Sequence, residues 1–321
     1  MIQNITITNH LGDSIRLDLT DPWSSGFAIK SIDGLGPSKA NINTTELASN
    51  DGAIYNSSKI RYRNIVLTFI FLENSTIEET RLLSYKYFPV KHEVTLAIET
   101  DNRNCKITGY VESNEPSIFN KQETCTISLI CPDPFFYSVK DVDTTFYGTD
   151  PNFEFPFDSE ANYDFWKWDE FSFVDGVIEK PIGDYPIEFG IINNLTKGVI
   201  YYAGDVETGM TITIHSLGDA TGLVIYNILT RETMAIDDDK LTALTGSGIQ
   251  AGDDIIITTS KGKKGIVLLR DGVTTNILNV LKRPIDWFQL SKGENVFVYD
   301  AETGLTNLQF NITSNTVYEG V

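Results

Sequence analysis

The chain has 321 residues, with 44 acidic against 25 basic, a formal net charge of −19, and is 41% apolar and 11% aromatic. That length is enough for about two domains, because single cores stop growing near ~250–300 residues. The charge argues against binding nucleic acid through its phosphates, which takes clustered Lys and Arg, and against docking on anionic lipid.

Met1 to Ile5 holds no basic region followed by an apolar core, so no signal peptide is expected. No run reaches the ~18 apolar residues of a membrane span. The chain is expected to be made and kept in a cytoplasm until something else carries it out. Cys105, Cys125 and Cys131 are an odd count without metal spacing and read as buried thiols.

Ile5 and Ile7 alternate with threonines, and Ile15, Leu17 and Leu19 return, which predicts a hairpin. Phe27 to Ile32 is a third strand, broken at Gly34, Leu35, Gly36 and Pro37. A weak strand follows at 40–43. Residues 44–59 are polar and small, centred on Asn50, Asp51 and Gly52. They read as a long hairpin arm without a core of its own, either a mobile loop or an arm ordered against a neighbouring molecule. From Ile65 to Leu72 both alternating sets are apolar, which predicts a strand covered on both faces. Ser75 and Glu78 are spaced as a capping box for a short helix over 76–88, with Ile77, Tyr85 and Phe88 on one arc and Pro89 as its stop. Val94 to Ile98, Cys105 to Val111 and Glu123 to Cys131 follow as strands, and Pro132 and Pro134 end the run.

Residues 140–182 form an acidic, aromatic connector that includes Trp166 and Trp168, too rich in large rings for a flexible linker. From Tyr185 onward strand signals recur every 8–12 residues, one of them at Trp287–Leu290, with glycine and Asx punctuation. That spacing predicts a β-sandwich.

Taken in order, these features resemble the distal tail protein family of long-tailed phages, the ring at the tip of the tail tube. The match in the first half rests on the early hairpin, the Gly34–Gly36 turn, the Asn50 to Gly52 tip, the strand opening on Arg61, Arg63, Asn64 and Ile65, the helix, and the closing Cys131, Pro132, Asp133, Pro134 and Phe135. In the second half, Gly183 to Pro186, Ile225 to Asn227, Gly252 to Ile257 and Leu290 to Val296 resemble that family's galectin-like sandwich. The resemblance implies a mainly β fold. A tail-tube-like β-sandwich or barrel with one α-helix occupies 1–139, and a galectin-like β-sandwich occupies 183–321. It also implies a structural virion part at the tail tip or baseplate, assembled in the host cytoplasm. There a homo-hexameric ring joins the tail tube protein above to the tail hub and the adhesion or receptor-binding proteins below, and lets DNA pass. Six acidic subunits around a channel would repel that DNA. The expected interface between copies is Asn50, Asp51 and Gly52 of the arm with Ile65, Leu67, Phe69 and Phe71 of the long apolar strand.

No enzyme is expected. His10, His92 and His215 pair neither with a nucleophile motif nor at metal spacing. Lys261 to Gly265 is a basic turn rather than a phosphate cradle, and Asp237, Asp238 and Asp239 lack the glycine and distal Glu of a calcium loop, so they read as a solvated turn. Acidic residues are too plentiful to single out a glycosidase pair. No cofactor or metal is implied. The alternative is a carbohydrate-binding module for cell-wall glycans in the C-terminal sandwich, stacking sugar on Trp287, Trp166 or Trp168.

Overall fold

A computed structural model describes residues 1–47, 51–73, 76–119, 122–146, 148–150, 172–174, 177–179, 191–193 and 197–321, with the backbone alone for 145–150 and the three short strands that follow. It is mainly β, as expected, and none of its described sheets closes into a barrel.

The first core lies under one large antiparallel sheet. Strands β1 (Ile2–Asn9) and β2 (Ser14–Asp18) form the early hairpin, whose turn is held by Asn9 Oδ1 accepting from the Leu11 and Asp13 amides, each at 3.0 Å. Strand β3 (Phe27–Asp33) follows, then β4 (Ala40–Glu46) and β5 (Ala53–Ile60), which pair only with each other. Next come β6 (Arg63–Phe71), helix α1 (Ile77–Tyr87), β7 (Glu93–Thr100), β8 (Asn104–Ser117), β9 (Thr124–Cys131) and β10 (Phe136–Ser138). The strand order is β2-β1-β7-β8-β9-β6-β3, with β10 laid on β8. One alternating set from each strand is buried, among them Ile5, Ile7, Leu17, Ile65, Leu67, Phe69, Leu96, Ile107 and Ile127. Phe69 sits at the centre, with its ring 5.7 Å from both Phe27 and Phe88. Burial of a side chain that size stabilises the fold by about 1.5–3 kcal/mol.

Three expectations for this region change. β6 is buried on one face only. Asn64 on its other face is exposed, and Val66, Thr68 and Ile70 are half-buried. An apolar run marks both faces as apolar without saying that both are covered. The N-cap of α1 is Thr76, whose hydroxyl accepts from the Glu79 amide at 3.2 Å; Ser75 lies outside the described residues. The buried positions of α1 are Thr80 and Ser84, while Tyr85, expected on the inner arc, is exposed. The helix is fastened by Ile77 and Tyr87 against the core, by its C-cap Phe88 within it, and by polar contacts: Thr80 Oγ1 donates to Leu72 O at 3.1 Å, Asn9 Nδ2 to Lys86 O at 3.1 Å, and Asn114 Nδ2 to Ser84 O and Phe88 O at 3.2 and 3.3 Å.

The second core lies between two antiparallel sheets. One has six strands in the order 142–146, 308–314, 211–216, 254–258, 265–270 and 273–276; the other has four, 197–202, 293–300, 224–227 and 233–235. Ile212, Ile214, Ile255, Ile257, Ile266, Phe297, Phe310 and Ile312 fill the space between them. Two expectations fail here. Trp287–Leu290 is no strand; only Leu290 makes a bridge, to Thr208. The acidic triplet opens a second helix, α2 (Asp238–Thr245). Asp237 is its N-cap, accepting from the Lys240 amide at 3.2 Å, and Asp238 and Asp239 sit in the first turn, where the helix dipole favours negative charge.

The last residues return to the first sheet. Val317–Tyr318 pairs with β10 and extends the sheet. Arg63 is only 4% exposed and, among the described residues, meets no carboxylate. Its guanidinium donates to four backbone carbonyls, Gly34 O at 2.5 Å and Gly36 O, Pro134 O and Glu319 O at 2.6 Å each, and stacks on Phe136 at 4.6 Å. Burial lowers its pKa from the usual arginine value, yet arginine does not deprotonate in proteins. Arg103 repeats the pattern on the other side of the tail. It donates to Gly320 O at 2.7 Å, pairs with Asp205 at 3.2 Å and stacks on Tyr318 at 4.5 Å.

Arg63→Ala removes the shared donor of four backbone carbonyls and the buried stack on Phe136, and is expected to lower unfolding stability by about 3 kcal/mol. Arg63→Lys, lacking the planar fork, is expected to recover less than half of it. Urea unfolding of the three proteins measures both. The three cysteines are free and buried, and burial pushes each thiol up to about 11. At pH 8 only about one in a thousand would be thiolate. The native protein is therefore expected to release no colour with a thiol-reactive disulfide, and the unfolded protein three equivalents.

Candidate assembly surfaces

Ile65, Leu67, Phe69 and Phe71 are 0%, 1%, 0% and 4% exposed, so the chain's own core covers them and they offer nothing to a second copy. The set on β6 available to a neighbour is the opposite one, Asn64, Val66, Thr68 and Ile70. It continues across β9 into Thr124, Thr126, Ser128 and Ile130. Sequence periodicity marked both sets as apolar; the packing of the first core decides between them.

The arm is real and bare. Every residue of β4, and every residue of β5 except Ile60, is exposed. Asp51 and Gly52 stand exposed beside its tip, Gly52 at a φ of +101°, which favours glycine; Asn50 lies outside the described residues. Cross-strand register gives the arm two unlike faces. Ala40, Ile42 and Thr44 stand opposite Ile60, Ser58 and Tyr55 on one; Asn41, Asn43 and Thr45 stand opposite Lys59, Ser57 and Ile54 on the other. The second face is closed by its own hydrogen bonds, from Asn43 Nδ2 to Ser57 Oγ at 3.0 Å and Asn56 Nδ2 to Thr45 Oγ1 at 2.6 Å. The first exposes Ile42 and Tyr55 by 63% and 61%. A strand pair with one apolar face and nothing beneath it is marginal in water by itself.

The outer faces of the sandwich differ from each other. On the six-stranded sheet the outward set includes Thr211, Thr213, His215, Gln309 and Asn311, with His215 Nδ1 2.7 Å from Asp254 Oδ1. On the four-stranded sheet it includes Val199, Tyr201, Tyr226, Val296 and Val298. Trp287 is half-buried against the core, and the Lys264 ammonium lies over its ring at 5.6 Å. Trp166 and Trp168 lie outside the described residues. His10 and His92 stack at 4.1 Å on exposed turns. Among the described residues no three His, Cys, Asp or Glu side chains gather to hold a metal ion, and no helix is long and apolar enough to cross a membrane.

No protein-family model matches the sequence, and no curated protein matches it. Solved structures do. The Dit protein of phage SPP1, described as a paradigm of the hub adsorption apparatus in phages infecting Gram-positive hosts, superposes with a TM-score of 0.60 at 14% identity, over 97% of this chain and 98% of that one. A chain of the phage P2 baseplate in its activated, calcium-bound conformation gives a TM-score of 0.47 at 15% identity, over 98% of both. Over nearly its whole length the chain therefore shares the fold of the SPP1 Dit protein, a mainly β fold as the sequence resemblance implied.

Trp287→Ala is expected to cost about 2 kcal/mol, because the ring fills the edge of the core. A thermal or urea unfolding comparison with the native chain checks it.

Proposed function

We propose that this protein is a structural component of a phage tail tip or baseplate. Residues 1–139 form a hexameric ring with five other copies, residues 183–321 project as a platform, and residues 140–182 join the two. The ring connects the tail tube protein to the hub and to the host-adhesion proteins, and its acidic charge repels the DNA that passes through. The reading is carried by one observation, the whole-length likeness in fold to the SPP1 Dit protein, which takes in both cores in the same order. The bare arm supports it, since an exposed apolar strand face makes sense on a part that is completed by its neighbours. The role requires no catalysis and no cofactor.

The platform reading is favoured over glycan binding by the same geometry. Trp287 already has the core beneath it and a lysine above it, whereas the four-stranded sheet turns a broad apolar face outward, the character of a protein contact.

Light scattering of the purified protein over a range of concentrations is expected to give the mass of a hexamer, or of two. A monomer at every concentration would overturn the ring. Retention of the protein on a cell-wall glycan column, abolished by Trp287→Ala in a variant that still folds, would instead favour the carbohydrate-binding alternative.

A further inference from the structure

A cleft of about 660 Å³ opens between the two cores, in the size range of small-molecule sites. One wall is the outer side of β8 and β10, with Lys106 opposite Tyr137 in register and Phe135 beside them. The other is the end of the six-stranded sheet, where Lys261 and Lys263 stand on the turn between Asp254–Thr258 and Gly265–Arg270. Acidic residues outnumber basic ones by 44 to 25 in the chain, yet the cleft is lined by these three lysines against Asp133 and Asp141 alone. Asp133 is already occupied: its Oδ2 accepts from the Tyr137 hydroxyl at 2.6 Å and its Oδ1 from the Phe135 amide at 3.2 Å. Among the described residues none of the three lysines has a carboxylate partner, although Lys106 is half-buried. We infer that this cleft binds the phosphate ester of a sugar or polyol. The inference stands whether or not the ring forms.

The lysine turn is fixed to the floor of the cleft. Thr259, at its base, is 0% exposed, and its Oγ1 accepts from the Met210 amide at 2.8 Å and donates to Met210 O at 3.2 Å. Gly209 packs against the Ser260 main chain, with no room for a side chain. The turn itself closes through the Lys263 amide donating to Ser260 O at 3.0 Å. The chemistry of the lining selects the ligand. Lysine meets a tetrahedral oxyanion as a point charge, whereas a planar carboxylate is met best by the fork of arginine, and no arginine lines the cleft. Thr208, Ser260 and Asn315 line it too, half-buried, and their side chains make no hydrogen bond among the described residues. They leave donors and acceptors for hydroxyl groups, and Phe135 and Tyr137 offer ring surface to C–H faces. Three lysines balance one phosphate group; a nucleic acid strand takes a longer basic stripe.

The test is calorimetric titration of the full chain with glycerol 3-phosphate, which is expected to saturate with a Kd of about 1 mM or below. Glycerol and glucuronate are expected to give no saturation in that range. The double variant Lys261→Ala with Lys263→Ala changes two exposed turn positions and is expected to weaken binding at least about tenfold with an unchanged unfolding temperature. Lys106→Gln, on the opposite wall, is expected to weaken it as well, which a site on the turn alone would not show. A diester probe, bis-glycerol phosphate, separates two sources of the same chemistry: tighter binding than the monoester marks a link within a polymer, weaker binding a free small molecule. No saturation up to about 10 mM, or binding untouched by the lysine variants, would overturn the site. Glucuronate binding as tightly as the phosphate would overturn the choice of anion. A DNA oligonucleotide that binds more tightly than either ester, and loses it in the lysine variants, would overturn the sugar or polyol phosphate in favour of nucleic acid.

Discussion

A buried guanidinium met by main-chain carbonyls is the constraint on which the rest of the chain depends. Arg63 is nearly inaccessible, and its charge is balanced by four main-chain carbonyls from three distant places in the sequence, the Gly34–Gly36 turn, Pro134 and Glu319. Burying a charge is costly unless every donor is met, so these segments must arrive together or not at all. The turn needs glycine at 34 because φ there is +89° and any side chain would meet the Asn64 carbonyl. The prolines at 132 and 134 stop β9 and turn the chain toward the guanidinium. Glu319 arrives because Val317 and Tyr318 have joined the sheet. The features that carried the family resemblance in the first half thus converge around one side chain.

The same junction ties the two cores. Tyr202, at the end of the strand Lys197–Tyr202, donates to Val206 O at 2.6 Å and accepts from the Val317 amide at 3.0 Å. The Asp205 amide donates to Val317 O at 2.9 Å, while the Asp205 carboxylate takes Arg103. Residues 316–321 are therefore held from both sides, and the sandwich is tied through them to the first sheet.

The first sheet and its helix divide labour in a way that suits assembly. The inner set of β6 closes the monomer's core, while the outer set, rich in Thr and Ser across β6 and β9, stays available. Helix α1 is held on by hydrogen bonds to main-chain carbonyls and by Phe88, which frees its leucines to face outward.

The sequence by itself determined that this protein is mainly β, where most of the described strands of the two cores run, that the arm has no core and that the thiols are buried. Alternation, glycine and proline placement and composition are local quantities, and they settle local structure. Tertiary structure decided the rest. Which face of β6 is covered depends on the side on which the first core closes, so Ile65, Leu67, Phe69 and Phe71 went to the core and not to an interface. Whether Asp237 to Asp239 made a bare turn or a helix start depended on Leu241 finding a place in the second core. Trp287 was set against that core by the loop that carries it, a position no period records. The role of Arg63 was out of reach for the same reason: its partners lie 27 to 256 residues away, and only the folded chain brings them together.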